Sequence, residues 1–292
     1  MKDITGTTAV CGLIGHPVSH TLSPLIHNTL SQLLGIELVY VPFEVAPERV
    51  KEAVEGAYAL NIKGLNVTVP HKSAVIPYLS EIDPLAEKIG AVNTLVRTAG
   101  GYKGYNTDMP GLYRELQSEG VEIAGRDVIL LGAGGVSRAV AFLCAQYGAN
   151  RVYILNRTIE KAQEIAKEVN QSFGRECIVP MMLSSYREIP EGKYPVIQGT
   201  SVGLAPHEDQ AVIEDPEFYE LVETGVDLIY RPAQTKFMKL AKAAGAQAYN
   251  GLKMLLYQGI IAYELWNEIQ VSEEMAGLVY QKMKEALGIY EE

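Results

Sequence analysis

Short apolar runs, broken by glycine and proline, divide the first hundred residues into alternating elements. Thr8 to Ile14 is an apolar run ending at Gly15 and reads as a buried strand of a parallel sheet. Ser23-Pro24 supplies an N-cap and a first-turn proline for a helix to about Leu34, which Gly35 stops. Glu37 to Val45 alternates and is rich in Val, Tyr and Phe, as a strand should be, and Pro47 opens a helix to about Ala59. Ile62 to Val69 is a third strand, followed by a turn and Lys72 near a helix start. The β-α-β-α-β order predicts a parallel sheet. Asp83-Pro84 starts a helix ending at Gly90. Ala91 to Val96 is a strand with Asn93 embedded in it, Gly100-Gly101 a turn, and Tyr102 to Tyr105 a short strand before a helix beginning near Met109-Pro110.

The second half repeats the alternation with different punctuation. Arg126 to Leu131 is a strand that runs into Gly132-Ala133-Gly134-Gly135-Val136-Ser137-Arg138 and then a helix of small residues, Ala139 to Tyr147. Strands follow at Arg151–Leu155, Pro195–Gly199 and Gly225–Ile229, with helices at Ile159–Val169 and Thr235–Ala244. Tyr249-Asn250-Gly251 begins a long helix, Leu252 to Trp266, and a final helix covers Ser272 to Leu287. This last pair has no strand of its own, so it is expected to pack back on the first domain.

Several polar residues interrupt the pattern. Asn66 and Thr68 stand in an otherwise apolar strand, and buried polar groups need partners: a neighbouring loop or a ligand hydroxyl. Thr21 and Ser23 lie in a hydroxyl-rich loop after the first strand, where open α/β sheets bind ligands. They suit a carboxylate there, although capping alone explains Ser23. Lys72 opposes the helix dipole, which a ligand or plain surface exposure would explain. Asp108 has the position of a helix cap.

Composition narrows the class. The chain has 292 residues, 48% hydrophobic and 21% charged, enough for two domains with separate cores. No run of eighteen apolar residues occurs, and the first ten residues are too short and polar for a signal peptide. The net charge of −10 argues against nucleic-acid and anionic-membrane partners, though not against a small anionic substrate. Cys11, Cys144 and Cys177 lie far apart in apolar settings, which fits reduced core thiols in a cytoplasmic protein rather than a metal site or disulfide framework.

The strand, glycine turn and helix at 126–147 form the context of a dinucleotide site. Gly132 permits the tight turn and Gly134 lets backbone approach a pyrophosphate, with Ser137 in place of the last glycine of the usual motif. The next strand ends in Asn156-Arg157-Thr158, where an acid would favour NAD. Arg157 suits a 2′-phosphate, Thr158 adds a hydroxyl, and Lys161 lies one turn on, so the cofactor expected is NADP.

With these motifs in order, the chain resembles the shikimate dehydrogenases over nearly its whole length. The resemblance is carried by Gly15-His16-Pro17, His20-Thr21-Leu22-Ser23-Pro24, Asn66-Val67-Thr68-Val69-Pro70-His71-Lys72, Ala91-Val92-Asn93-Thr94-Leu95 and Gly104-Tyr105-Asn106-Thr107-Asp108. It continues through Gly132-Ala133-Gly134-Gly135, Asn156-Arg157-Thr158, Thr200-Ser201-Val202-Gly203, Tyr230, Gly251, Met254 and Gln258. It implies an α/β protein of two domains. A mostly parallel substrate domain would span residues 1–108 with 250–292, and a Rossmann NADP-binding domain residues 109–249. It also implies NADPH-dependent, reversible reduction of 3-dehydroshikimate to shikimate, a step of aromatic amino-acid biosynthesis.

By the same resemblance Thr21 and Ser23, with Tyr230, hold the substrate carboxylate. Asn66, Thr68, Lys72, Asn93, Asp108 and Gln258 surround its ring hydroxyls, with Lys72 and Asp108 catalytic. Gly132, Ala133, Gly134, Gly135, Val136, Asn156, Arg157, Thr158, Lys161, Thr200, Ser201, Gly203, Leu228, Gly251 and Met254 line the cofactor. No metal is implied, and a monomer or homodimer is expected. Thr21 departs from the family's usual serine, and its extra methyl crowds the carboxylate end, against quinate. The alternatives are a quinate/shikimate dehydrogenase using NAD or both cofactors, and a catalytically silent nucleotide-binding homologue.

Overall fold

The computed structural model describes residues 4–289. In chain order its elements are β1 (Ala9–Gly15), α1 (Ser23–Leu34), β2 (Leu38–Glu44), α2 (Val50–Ala59), β3 (Gly64–Val67), α3 (His71–Ala74), β4 (Glu81–Ile82), α4 (Pro84–Ile89), β5 (Thr94–Thr98), β6 (Gly101–Tyr105) and α5 (Asp108–Ser118). They continue with β7 (Asp127–Leu131), α6 (Gly135–Gln146), β8 (Arg151–Asn156), α7 (Ile159–Phe173), β9 (Ile178–Met182), β10 (Tyr194–Gln198), α8 (Pro216–Tyr219), β11 (Val222–Asp227), α9 (Lys236–Ala243), β12 (Gln247–Asn250), α10 (Leu252–Asn267) and α11 (Glu273–Leu287).

Two compact units result. The first contains the chain up to Gly111 together with the chain from Leu255 onward, and the second is Leu112–Met254. Both crossings of the chain therefore fall inside helices, α5 and α10.

The first unit holds a six-stranded sheet in the order β2-β1-β3-β5-β6-β4. β1 pairs in parallel with β2 and β3, as expected from the alternation. At β5 the sheet turns antiparallel, because the Gly100-Gly101 turn folds β5 and β6 into a hairpin. Its core is built from Ile14, Val50, Val54, Leu65, Val67, Leu95 and Tyr102, all buried. β3 is shorter than expected and stops at Val67, since Pro70 offers no N–H and the chain turns there, His71 N–H donating to the Thr68 carbonyl.

The second unit is a fully parallel sheet, β12-β11-β10-β7-β8-β9. Val128 to Leu131 of β7 are all completely buried, which follows from a central strand covered on both faces. Two of its strands were not expected. β9 contains Pro180, tolerated because β9 is an edge strand, and β12 occupies residues read as the approach to a helix. α6 begins at Gly135, directly on the glycine turn, rather than at Ala139.

Two expected caps fail. Ser23 is the first residue of α1 and makes no cap bond, Leu22 preceding it. Asp108 does not cap α5: Asn106 Oδ1 accepts the N–H groups of Asp108 and Met109 at 3.1 and 3.3 Å. Gly35 and Gly90 do end their helices in the left-handed conformation, at φ 70° and 71°.

α10 lies against the first sheet through one close approach. A Cβ on Gly64 would fall 2.1 Å from Trp266 Nε1, and that indole N–H donates to the Leu95 carbonyl at 2.9 Å. Gly64→Ala should therefore destabilise the first unit by about 1–3 kcal/mol through overpacking. Urea unfolding followed through Trp266, the sole tryptophan, measures it, and an unchanged midpoint would refute the contact.

Candidate active site

In the first unit every candidate residue on the sheet lies at one end. The carboxyl ends of β1, β3 and β6 point there, and so does the amino end of the antiparallel β5. Thr21 and Ser23 follow β1, Thr68 and Lys72 follow β3, Asn93 precedes β5, and Asp108 follows β6. This is where an open α/β sheet leaves a crevice for ligands.

Two side-chain amides organise this end, and backbone groups fix which way each faces. Asn66 Nδ2 lies 3.3 Å from the Asn93 carbonyl, which only accepts, and 3.1 Å from Thr94 Oγ1. Its Oδ1 then accepts from Tyr40 hydroxyl at 2.7 Å and from His27 Nε2–H at 3.1 Å. All four hydrogen-bonding positions of Asn66 are occupied within the protein. Asn93 is fixed by the Thr107 N–H, which only donates, to Asn93 Oδ1 at 2.7 Å; the hydroxyls of Thr94 and Thr107 donate to the same oxygen at 3.1 Å. Its Nδ2 makes no hydrogen bond among the described residues, so the two N–H donors of Asn93 are unused within this cluster.

Lys72 and Asp108 form an ion pair at 2.7 Å with side chains 31% and 22% exposed. The pair is assembled by short links. Val92 N–H donates to the Lys72 carbonyl at 2.8 Å, and the Asn106 cap releases the Asp108 carboxylate from capping. An ammonium oriented by a carboxylate can donate a proton or stabilise a developing alkoxide. Thr21 Oγ1 accepts the Ser23 N–H at 3.2 Å and donates to Ser23 Oγ at 3.0 Å, so the two hydroxyls sit together. Thr68 packs its methyl where a Cβ on Gly15 would come within 2.3 Å, which makes glycine necessary there. Gln258 is nearly buried and donates to the Leu255 carbonyl at 2.8 Å.

In the second unit Gly132 has φ 105°, and a Cβ there would meet Thr200 at 2.5 Å. Gly134 caps α6, and a Cβ on Gly134 or Gly135 would meet nothing within 4 Å. The helix N-terminus is thus open to a phosphate. Ser137, in the place of a third glycine, is buried and donates to the Gly199 carbonyl at 3.1 Å, tying α6 to the end of β10. Ala133 is half-buried and Val136 exposed beside them.

Asn156 ends β8 and donates to the Thr158 carbonyl at 2.8 Å. Arg157, Thr158 and Lys161 are exposed, and neither cation is in an ion pair with another described residue. Thr200 N–H bonds the Gln198 side chain, Thr200 Oγ1 accepts from Val202 N–H, and Gly203 turns with φ 104° beside Ser201. A Cβ on Gly251 would fall 2.5 Å from the Leu228 carbonyl, and Met254 and Tyr230 are half-buried. This set, glycines at an open helix N-terminus with free cations after the next strand, fits a phosphorylated dinucleotide. Among the described residues no His, Cys, Asp and Glu cluster is arranged to hold a metal.

Sequence reasoning missed His27, Tyr40, Asn106, Gln198 and Asp227. His27 had one visible signal: with Ser23, Ile26 and Leu30 it lies on the buried face of α1.

Residues 13–95 match the family model described as the shikimate dehydrogenase substrate binding domain, and residues 115–182 the model described as shikimate / quinate 5-dehydrogenase. A shikimate dehydrogenase (NADP(+)) of Desulforamulus reducens is 44% identical over 90% of this chain and 91% of its own length. One from Carboxydothermus hydrogenoformans is 41% identical over 98% and 99%. Among solved structures, a shikimate dehydrogenase in complex with NADP+ superposes with a TM-score of 0.86 at 37% identity, covering 96% of this chain and 97% of that one. The Listeria monocytogenes shikimate 5-dehydrogenase, in complex with shikimate and NAD, gives 0.88 at 30%, covering 97% and 99%.

His27 generates a test of the amide cluster. Burial lowers its pKa to about 3 against an ordinary 6.5, and Nδ1 is buried without a partner. Between those values the unfolded chain takes up a proton that the folded one refuses. Stability from the neutral ring is therefore full above 6.5 and lost as pH falls, by at most about 1.4 kcal/mol per pH unit. His27→Gln keeps a donor and cannot titrate, so its stability deficit in urea unfolding should shrink from pH 7.5 to pH 5. A deficit constant with pH would contradict the buried neutral imidazole.

Proposed function

The chain belongs to the shikimate dehydrogenase family, and from that premise we propose that it reduces 3-dehydroshikimate reversibly to shikimate with NADPH, in aromatic amino-acid biosynthesis. The observation that carries the reading is the Lys72–Asp108 pair at the carboxyl end of the first sheet, with an Asn93 whose N–H donors are unused within its cluster. In this reading Lys72 donates the proton to the carbonyl oxygen as it becomes an alcohol, and Asp108 orients the ammonium and bonds the reacting hydroxyl. Asn93, Thr68 and Gln258 bond ring oxygens, while Thr21 and Ser23, with Tyr230, take the carboxylate. Asn66 was expected to bond the ring as well, but its saturated amide suits it better to holding the cluster together.

NADPH, when bound, supplies the hydride. Gly132, Ala133, Gly134, Gly135 and Val136 would hold its pyrophosphate at the start of α6, and Arg157, with Asn156, Thr158 and Lys161, its 2′-phosphate. Thr200, Ser201, Gly203, Leu228, Gly251 and Met254 would hold the nicotinamide half. Three free, buried thiols suit a reducing cytoplasm, and no described helix is long and apolar enough to cross a membrane. A monomer or homodimer is the assembly we propose.

Initial rates with shikimate and quinate, each with NADP and NAD, test this directly. Shikimate with NADP should be fastest. Faster oxidation of quinate would instead favour the quinate branch, and no turnover a silent homologue. Lys72→Ala should lower kcat by about 100-fold or more while changing KM for shikimate much less, the signature of a lost proton donor. Near wild-type turnover would remove Lys72 from that role. Arg157→Asp should raise KM for NADPH at least about tenfold more than KM for NADH, since it replaces a bidentate partner with a repelling charge. Equal losses would remove the 2′-phosphate role.

A further inference from the structure

We propose that Asp227 is a positioning residue for the cofactor: its buried carboxylate fixes the loops after β10 and β11, from which the reading above brings Thr200, Ser201, Gly203 and Leu228 to NADP. The inference rests on that reading. Asp227 ends β11, opposite Gln198 of β10 and Asn250 of β12, and is completely buried. Its Oδ1 accepts from Gln198 Nε2 at 3.2 Å and from the Ile229 N–H at 3.0 Å. Its Oδ2 accepts from Thr235 Oγ1 at 2.6 Å.

Each donor holds a loop. Gln198 donates also to the Val202 carbonyl at 3.1 Å, and its side-chain oxygen accepts the Thr200 N–H, so it pins the loop after β10 from both sides. Ile229 lies in the loop after β11, whose Leu228 N–H donates to the Gln198 carbonyl at 3.1 Å and whose Ile229 carbonyl accepts the Gly251 N–H at 3.2 Å. Thr235 caps α9, accepting the Met238 N–H at 3.3 Å.

A carboxylate without a cation is a costly way to build a core. Tyr219 on α8, whose hydroxyl donates to the Ile213 carbonyl, feels its charge together with that of Glu214. What the carboxylate adds is two oxygens that only accept, which turn all three donors inward. Burial raises its pKa from 3.8 to about 6, against the three donors that lower it. Protonation turns one carboxylate oxygen into a donor: toward Gln198 Nε2 or the Ile229 N–H it breaks a bond, and toward the Thr235 hydroxyl it reverses one, so that Thr235 no longer donates to Asp227.

Affinity and stability should then move oppositely with pH. The folded pKa exceeds the unfolded one, so this group's contribution to stability falls as pH rises from about 4 through 6. Cofactor affinity should rise over the upper part of that span, as the ionised form takes hold of the loops. A role in folding alone would not produce that opposition.

The test is binding of NADH to the full chain by nucleotide fluorescence between pH 5.5 and 8, in wild type and Asp227→Asn. NADH avoids the 2′-phosphate, whose own second ionisation lies near pH 6. Wild-type affinity should differ about fivefold between the protonated and ionised limits, the equivalent of about 1 kcal/mol for one hydrogen bond. Asp227→Asn should be flat at the weaker value. Wild-type affinity in that variant, or an unchanged pH dependence, overturns the proposal. Should the variant not fold, Thr235→Val decides: removing a donor from the ionised form must move the midpoint to higher pH, and Thr235→Ser must restore it. A midpoint that stays put overturns the proposal. If the wild type binds NADPH but not NADH, the readout is the ratio of wild-type to Asp227→Asn affinity for NADPH at each pH, in which the 2′-phosphate's own ionisation cancels. A ratio constant with pH then overturns the proposal. A wild-type chain that binds neither nucleotide sinks the cofactor reading itself.

Discussion

Two backbone groups govern the chemistry of the first unit. The Asn93 carbonyl can only accept and the Thr107 N–H can only donate, so together they fix the orientation of the amides of Asn66 and Asn93. Everything else in the cluster follows from those assignments. Tyr40 and His27 must donate to Asn66, and the donors of Asn93 are left unused within the cluster. These bonds lie among β3, β5 and the turn after β6, so they depend on the antiparallel β5–β6 hairpin that brings Thr107 back beside Asn93. In a wholly parallel sheet Asn93, at the amino end of β5, would lie at the opposite end from Asn66 and Thr107.

That dependence explains what the sequence made legible. Strands with continuous apolar runs, such as β1 and β7, and helices with proline before and glycine after, such as α1 and α4, announce themselves through local chemistry. Gly132 and Gly134 are readable because strand, turn and helix are contiguous. The antiparallel turn of the first sheet is not written in periodicity. It depends on which strands meet, and β4, β9 and β12 are too short or too interrupted to show a period. Caps misled for the same reason. Ser23 and Asp108 have capping chemistry and position, but Asn106, two residues before Asp108, wins that place.

Site residues divide along the same line. Lys72, Asp108 and Arg157 were picked out because a charge in that position asks for a reason, and the family motifs supplied one. His27, Tyr40 and Asp227 were not, since one histidine on an apolar helical face or one acid at a strand end has many ordinary explanations. Their importance lies in partners 26 to 39 residues away for the Asn66 contacts, and 29 for Asp227 and Gln198. Only the folded chain brings these together.

The two units reach related solutions, one around a neutral amide and the other around a carboxylate. In each, the acceptor oxygens of a buried polar side chain at the carboxyl end of a strand are filled by donors from neighbouring elements: Asn66 by His27 of α1 and Tyr40 of β2, Asp227 by Gln198 of β10, Ile229 and Thr235. Both arrangements lower stability relative to a packed apolar core, and His27 leaves one ring nitrogen without a partner. Such costs are tolerated where the loops above must be held in one conformation to meet a ligand. The central strand β7 is by contrast apolar and buried throughout Val128–Leu131. Buried polar groups with several partners stand at the carboxyl ends of β3 and β11, where an open α/β sheet leaves its crevice, and that placement is itself an argument for these ends as the working ones.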